Sequence, residues 1–300
     1  MNVVLGATGF IGARLYADLK RHESSVVGTC TPRHIAPSQG LIPYDLAGPD
    51  PAAIPVYDAP AWYYFCTQLG GIDFCKTHPQ ETTAANVSGV IRVLERVRAH
   101  PAIPVFLSTN MVFDGTKPDY READPVHPVT EYGRQKVAVE QYLERNFERY
   151  LIVRLTKVYG GNRNDKTLFS TWFDAWLTGG YVRAALDSYI APLYVDDVIA
   201  VLKRLVEKGV YGIVHVSGPV MASVSEFARL AASVLGAGAG RVEERPMDAF
   251  GFPEQRPRFN HLACDRLFDI MGGLSLTRPE TVLAALRSQY AVSAQQASRG

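Results

Sequence analysis

Two hydroxyls, Ser108 and Thr109, close the apolar run Ile103 to Leu107, and Tyr132 and Lys136 follow, four residues apart. On a helix, positions i and i+4 share a face, so the phenol and the ammonium point the same way, toward whatever lies at the end of the run. A nearby positive charge favours phenolate and so tunes this weak acid toward the range of a proton donor or acceptor. The chemistry such a set can do is proton transfer: Tyr132 as the acid, Thr109 (with Ser108 as its substitute) as a hydrogen-bond donor to the same oxygen, Lys136 as the charge beside them. The plain alternative is an exposed Tyr and Lys on a helix surface. A lone YxxxK would deserve that reading; the N-terminus of this chain tells against it.

The elements that must position these side chains are legible. Ile103 to Leu107 reads as a buried strand. Thr130 to Arg145 reads as a helix, with Pro128 just ahead of it and Thr130 as its N-cap. At the start of the chain, Asn2 to Leu5 is a short apolar strand. The turn Gly6-Ala7-Thr8-Gly9-Phe10-Ile11-Gly12 follows, then a helix to about Lys20 with Ile11, Leu15 and Leu19 on one stripe. A strand, a glycine-rich turn and a helix is the context that makes a phosphate-cradling motif credible. Gly6 permits the tight turn, Gly9 lets backbone N–H groups approach a pyrophosphate at the helix N-terminus, and Gly12 allows close helix–sheet packing. The spacing is GxxGxxG, one residue longer in its first gap than GxGxxG. It assigns dinucleotide binding to Gly6, Thr8, Gly9, Phe10, Ile11 and Gly12.

The second strand is Ser25 to Cys30. NAD-binding versions place an acid at its end, but from Ser24 to Tyr44 there is no Asp or Glu. Thr31-Pro32-Arg33-His34 stands there instead, and Arg33 suits a 2′-phosphate, which a guanidinium can hold bidentately. The cofactor expected is NADP(H), with NAD(H) as the alternative; a solvated loop arginine is the plainer reading of Arg33.

Further strands and helices alternate up to Leu155. Tyr44-Asp45-Leu46 closes a short strand, and Pro49, Pro51, Pro55 and Pro60 preclude a regular helix after it. Trp62 to Cys66 is a fourth strand. The loop after it, Thr67 to Gly71, lies at a strand's C-terminal edge, where open α/β sheets bind ligands. Pro79 to Ala99 reads as one helix with Val87, Val90, Ile91, Leu94 and Val97 on its apolar face and Asn86 as a polar residue on it. Leu151 to Leu155 is the next strand. This order predicts a parallel sheet with right-handed crossovers: an α/β, Rossmann-type doubly wound sheet over 1–160, completed by parts of 190–216, with a smaller lobe mainly in 161–300. In the later part Leu168 to Leu177 is an aromatic-rich helix, and Asp196 reads as the N-cap of another. Ile213 to Val216 is a strand, and Ser223 to Glu226 forms a capping box for a helix to about Leu235. Gln255 to Asn260 is a basic loop whose Arg256 and Arg258 either clamp a diphosphate or are simply solvated. Residues after Ala291 read as a frayed tail.

Composition narrows the partners. Thirty-one Lys+Arg face 30 Asp+Glu, a balance that argues against nucleic acid or an anionic membrane as the main partner. No apolar run approaches the ~20 residues that span a bilayer. Met1-Asn2 leads straight into a strand, so no signal peptide is expected. Cys30, Cys66, Cys75 and Cys264 are scattered, which suggests a reduced, cytoplasmic protein without a structural metal.

Together these residues make the chain resemble the extended short-chain dehydrogenase/reductases, and within them the dTDP-4-dehydrorhamnose reductases and the related regulatory β subunit of methionine adenosyltransferase. The residues carrying the likeness are the Gly6-to-Gly12 turn, Ser108-Thr109 with Val112-Phe113-Asp114-Gly115, Tyr120-Arg121-Glu122 with Asp124, Pro128, Tyr132-Gly133 with Lys136, Arg154, Pro192 with Asp197, and Arg256-Pro257. The resemblance implies an N-terminal Rossmann domain for NAD(P)H and a C-terminal lobe for a nucleotide-sugar, with dimers common in the superfamily. It implies Thr109, Tyr132 and Lys136 as the catalytic set, with Lys136 also on the nicotinamide ribose. Asp45 and Leu46 would lie beside the adenine, Cys66 and Thr67 along the cofactor, and Ser108, Asn110, Met111 and Arg256 against the substrate. Asn86 falls where the superfamily keeps a structural Asn. The reductases usually read Ser-Thr-Asp-Tyr where this chain has Ser108-Thr109-Asn110-Met111. Related 4,6-dehydratases need an Asp-Glu pair there, which Asn110-Met111 cannot replace. A 4-epimerase would use the same catalytic residues with tightly held NAD, and a non-catalytic NADP-binding subunit would keep the fold without turnover.

Overall fold

The computed structural model describes residues 1–23, 25–32 and 40–297; Arg33 lies outside the described residues. The chain runs β1 (Asn2–Leu5), α1 (Phe10–His22), β2 (Val26–Cys30), β3 (Ile42–Pro43) and β4 (Ala61–Phe65). Next come α2 (Ile72–Thr77), α3 (Pro79–Thr83), a π-helical turn (Ala84–Gly89), α4 (Val90–Arg98), β5 (Ala102–Thr109), α5 (Glu131–Asn146) and β6 (Leu151–Leu155). The remainder is β7 (Val158–Tyr159), α6 (Leu168–Leu177), β8 (Val182–Ala185), β9 (Tyr189–Ile190), β10 (Leu193–Tyr194) and α7 (Val195–Glu207), then β11 (Gly212–Val216), β12 (Ala222–Ser223), α8 (Val224–Leu235), β13 (Val242–Arg245), β14 (Phe259–Asn260), α9 (Asp265–Met271) and α10 (Pro279–Ala297).

Seven strands form one parallel sheet in the order β3-β2-β1-β4-β5-β6-β11. Successive strand residues face opposite sides, and the two sides build two cores. Val4, Tyr64, Val105 and Val153 face α1 and α7, meeting Leu15, Leu19, Val198 and Leu202. Val3, Leu5, Tyr63, Phe65, Phe106 and Ile152 face α4 and α5, meeting Val93, Leu94, Val97 and Val139. Strand order reverses between β1 and β4, so the crevice that binds ligands in such sheets opens at their C-terminal ends. The Gly6-to-Gly12 turn and Cys66-Thr67 sit there.

A separate core belongs to the later part of the chain. Phe169, Phe173 and Trp176 of α6 pack on Phe227 and Ala231 of α8 and on Leu283, Leu286 and Tyr290 of α10. The aromatic helix is therefore spent inside this lobe. Three local expectations are corrected. The helix after Pro79 is interrupted by the π turn, which presents Asn86 to the Leu69 backbone: Oδ1 accepts from its N–H at 2.7 Å and Nδ2 donates to its carbonyl at 3.1 Å. Tyr194, not Asp196, is the N-cap of α7; Asp196 lies in the first turn and accepts from the Tyr194 hydroxyl at 2.7 Å. And α10 continues to Ala297, past the expected fraying, because Leu286 and Tyr290 anchor it in the lobe core. Among the described residues no helix is long and apolar enough to cross a membrane.

Candidate active site

Thr109 is the last residue of β5, and α5 crosses just beyond it. Thr130 caps α5, its side chain accepting from the Gly133 N–H at 3.0 Å, as its sequence context predicts. Gly133 lets the first turn of α5 press against the chain leaving β5, since a Cβ there would stand 2.1 Å from the Met111 carbonyl oxygen. That approach brings Tyr132 and Thr109 to the border of the same two cavities. One turn on, Lys136 is buried, donates to the Leu107 carbonyl at 2.9 Å, and lies 4.8 Å from the Phe106 ring centroid and 5.8 Å from that of Tyr132. Sequence reading and structure agree that the three side chains converge.

Their proton affinities differ from expectation. Burial pushes the Tyr132 phenol up to about 12, with the Thr109 hydrogen bond pulling the other way. Burial pulls the Lys136 ammonium down to about 8, opposed by the Glu140 carboxylate one turn further along α5. The expected lowering of the phenol by its neighbour is thus absent, because desolvation of the phenolate dominates. At neutral pH Tyr132 is a protonated donor beside a largely charged Lys136.

Behind them lies a buried ion pair. Arg154 of β6 holds Glu140 bidentately, Nη2 to Oε2 at 2.7 Å and Nε to Oε1 at 3.1 Å, and the Ser108 hydroxyl donates to Oε1 at 2.5 Å. Ser108 is therefore tied to this pair and is not free to stand in for Thr109.

Two cavities meet at Thr109 and Tyr132. The smaller, about 240 Å³, is lined by Ile11, Cys66, Thr67, Ser108, Lys136 and Val158, among others. The larger, about 550 Å³, is lined by Asn110, Met111, Lys157, Arg183, Phe252 and Arg256, among others. Thr109, Tyr132, Gln68 and Thr156 border both. The smaller cavity and the turn beside it carry features that suit a dinucleotide. α1 begins at Gly9 with neither a side-chain cap nor an acid in its first turn, leaving its N–H groups for an anion. Gly12 allows that turn, since a Cβ there would lie 2.1 Å from the Gly6 carbonyl oxygen. The Thr67 hydroxyl is buried in the cavity wall without a partner. Thr8 and Gly9 are exposed on the turn.

Other predicted residues fall elsewhere. Asp45 closes a local turn, accepting from the Ala47 N–H at 2.9 Å, and the Leu46 carbonyl accepts from Arg92 at 2.9 Å; neither borders the two cavities. Of the two loop arginines only Arg256 reaches the larger cavity; Arg258 is paired with Asp187 and Asp248, so the two-arginine clamp is not formed. Lys157 and Arg183 supply cations there instead, and sequence reading missed both. Lys157 was findable, as it follows the C-terminal end of a sheet strand; Arg183, on a short strand of the later lobe, carries no such signal. Among the described residues no cluster of His, Cys, Asp and Glu is placed to hold a metal.

A parallel doubly wound sheet with a Thr–Tyr–Lys site at its crevice defines the class of extended short-chain dehydrogenase/reductases. The chain belongs to the RmlD substrate binding domain family, whose model matches residues 1–290. Membership places it among the NAD(P)-dependent oxidoreductases of that extended type. It is 28% identical to the "probable low-salt glycan biosynthesis reductase Agl14" of Haloferax volcanii over 96% of this chain and 97% of that protein. It is 27% identical to methionine adenosyltransferase 2 subunit beta of Bos taurus over 88% of this chain and 80% of that protein. The crystal structure of dTDP-4-dehydrorhamnose reductase from Bacillus anthracis in complex with NADP superposes with a TM-score of 0.79 at 21% identity, covering 97% of this chain and 98% of that one.

Proposed function

We propose that this protein reduces a keto group, at C4 in our reading, of a nucleotide-diphospho-deoxysugar, using NADP(H), with NAD(H) as the alternative. The observation that carries this is the position of Thr109 and Tyr132 on the shared border of the two cavities: a carbonyl entering from the larger one meets a cofactor in the smaller. The cofactor supplies hydride to the carbonyl carbon. Tyr132 gives its proton to the oxygen, and Thr109 hydrogen-bonds that oxygen. Lys136 keeps positive charge beside the phenol as it loses its proton, and holds the ribose. The turn from Gly6 to Gly12 with Thr8, Phe10 and Ile11 receives the pyrophosphate, and Cys66 and Thr67 border the nicotinamide end. Arg33, Asp45 and Leu46 are assigned to the adenosine end. Asn110, Met111 and Arg256 face the substrate, in a division of labour between residues 1–160 and 161–300. The similarity to proteins named as reductases, one of them holding NADP, supports this reading.

A second reading, a cofactor-binding subunit of another enzyme, is favoured by the similarity to the bovine beta subunit. Assay with NADPH and a nucleotide-linked 4-keto-deoxysugar separates them. Stoichiometric NADPH consumption supports the reductase; epimer formation without net cofactor change supports an epimerase; neither, with co-purification of another enzyme, supports the subunit.

A further inference from the structure

Arg256 stands in the loop before β14, and its side chain is 11% exposed. Two contacts fix it. Nη2 pairs with Asp73 of α2, on the other side of the cavity, and the guanidinium carbon lies 4.8 Å from the centroid of the Phe252 ring. The other terminal nitrogen, Nη1, is buried and has no partner. A buried guanidinium N–H without an acceptor is costly, and the Arg256 side chain stands in the wall of the larger cavity. Lys157 and Arg183 border the same cavity, and Asp73, already engaged, is the sole carboxylate among the described residues lining it. The site therefore asks for an anion.

We propose that Asp73 is a positioning residue for an anionic substrate: by holding Nη2 of Arg256 it fixes the guanidinium in the wall of the larger cavity, where its positive charge receives phosphoryl oxygens. This rests on the diphosphate-substrate reading above and assigns the residue that orients its cation. A guanidinium fork can serve two acceptors at once, so Asp73 and the phosphoryl group need not compete. A lysine at the same position is a point charge and has no second fixed donor to offer. Stacking on Phe252 sets the plane of the fork, and Asp73 sets its rotation within that plane.

The test titrates the full chain with inorganic pyrophosphate at fixed ionic strength and measures KM and kcat on the keto-sugar nucleotide. Asp73→Asn is expected to weaken pyrophosphate about tenfold, as follows from loosening one charge-assisted hydrogen bond, and to raise KM more than it lowers kcat. Asp73→Glu restores most of the loss, and in an Arg256→Lys background Asp73→Asn has no further effect. Melting temperature and NADPH affinity serve as controls on folding. Tighter pyrophosphate binding by Asp73→Asn overturns the proposal, because Asp73 would then be a competitor. An equal loss in the Arg256→Lys background overturns it, as does a wild-type cavity that binds no pyrophosphate. If no keto-sugar is reduced but pyrophosphate binding still follows Asp73 through Arg256, the reductase reading falls and this one stands.

Discussion

The proposed proton chemistry rests on two side chains whose environments push them apart. Tyr132, at about 12, keeps its proton through the neutral range, and Lys136, at about 8, loses its own first as pH rises. The alkaline decline of the reductase rate is therefore expected near pH 8 and belongs to Lys136. Lys136→Arg, which stays charged throughout, should lower activity yet flatten that decline. A decline unmoved in this variant would assign it to another group. Thr109 has a separate role. Thr109→Val removes one hydrogen bond to the developing alkoxide and should cost on the order of 10²–10³ in kcat, as loss of an oxyanion donor does. Ser108 should not rescue it, because its hydroxyl is committed to Glu140. Cofactor affinity, from fluorescence titration, should stay near the wild-type value.

Among the elements, the glycine turn makes the sharpest prediction. Its two later glycines do different work. A Cβ at Gly12 would stand 2.1 Å from the Gly6 carbonyl oxygen, whereas one at Gly9 meets that atom at 3.3 Å. Gly12→Ala should therefore lower stability by about 1–3 kcal/mol, the range for overpacking, in thermal unfolding. Gly9→Val should leave a folded protein by circular dichroism that has lost NADPH binding. Equal effects on stability from both would reject this division. The same elements were legible in the sequence because their signals are local: Ile11, Leu15 and Leu19 at helical spacing, the cap at Thr130, the box at Ser223 to Glu226. The rest was not. The π turn at Ala84–Gly89 has no local residue signature, and the two-residue strands β9, β12 and β14 exist through their pairing with one another. Asp73 and Arg256 lie 183 positions apart, and only the assembled fold brings them together.

At the scale of the whole molecule, the sheet carries a charge arrangement that makes it acid-sensitive. His215 of β11 is buried against Arg154; burial first and that guanidinium second hold its imidazole down to about 3. Its folded value lies below the unfolded one of about 6.5, so the stability it contributes is complete above pH 6.5 and is lost as pH falls toward 3. The full loss is on the order of 5 kcal/mol. His215→Gln should show a shallower fall in unfolding free energy between pH 7 and pH 4 than wild type; parallel curves would contradict this account. The central claim, however, concerns turnover, for which both lobes are needed: a carbonyl in the larger cavity is reduced across Thr109 and Tyr132. Its most direct test is NADPH oxidation with a nucleotide-linked 4-keto-deoxysugar, wild type against Tyr132→Phe. Wild type should consume NADPH in step with product. Tyr132→Phe should bind NADPH as well as wild type and turn over roughly 10²–10⁴-fold more slowly, the usual worth of general acid catalysis. A Tyr132→Phe protein with wild-type turnover on a keto-sugar that the wild type reduces would contradict the account.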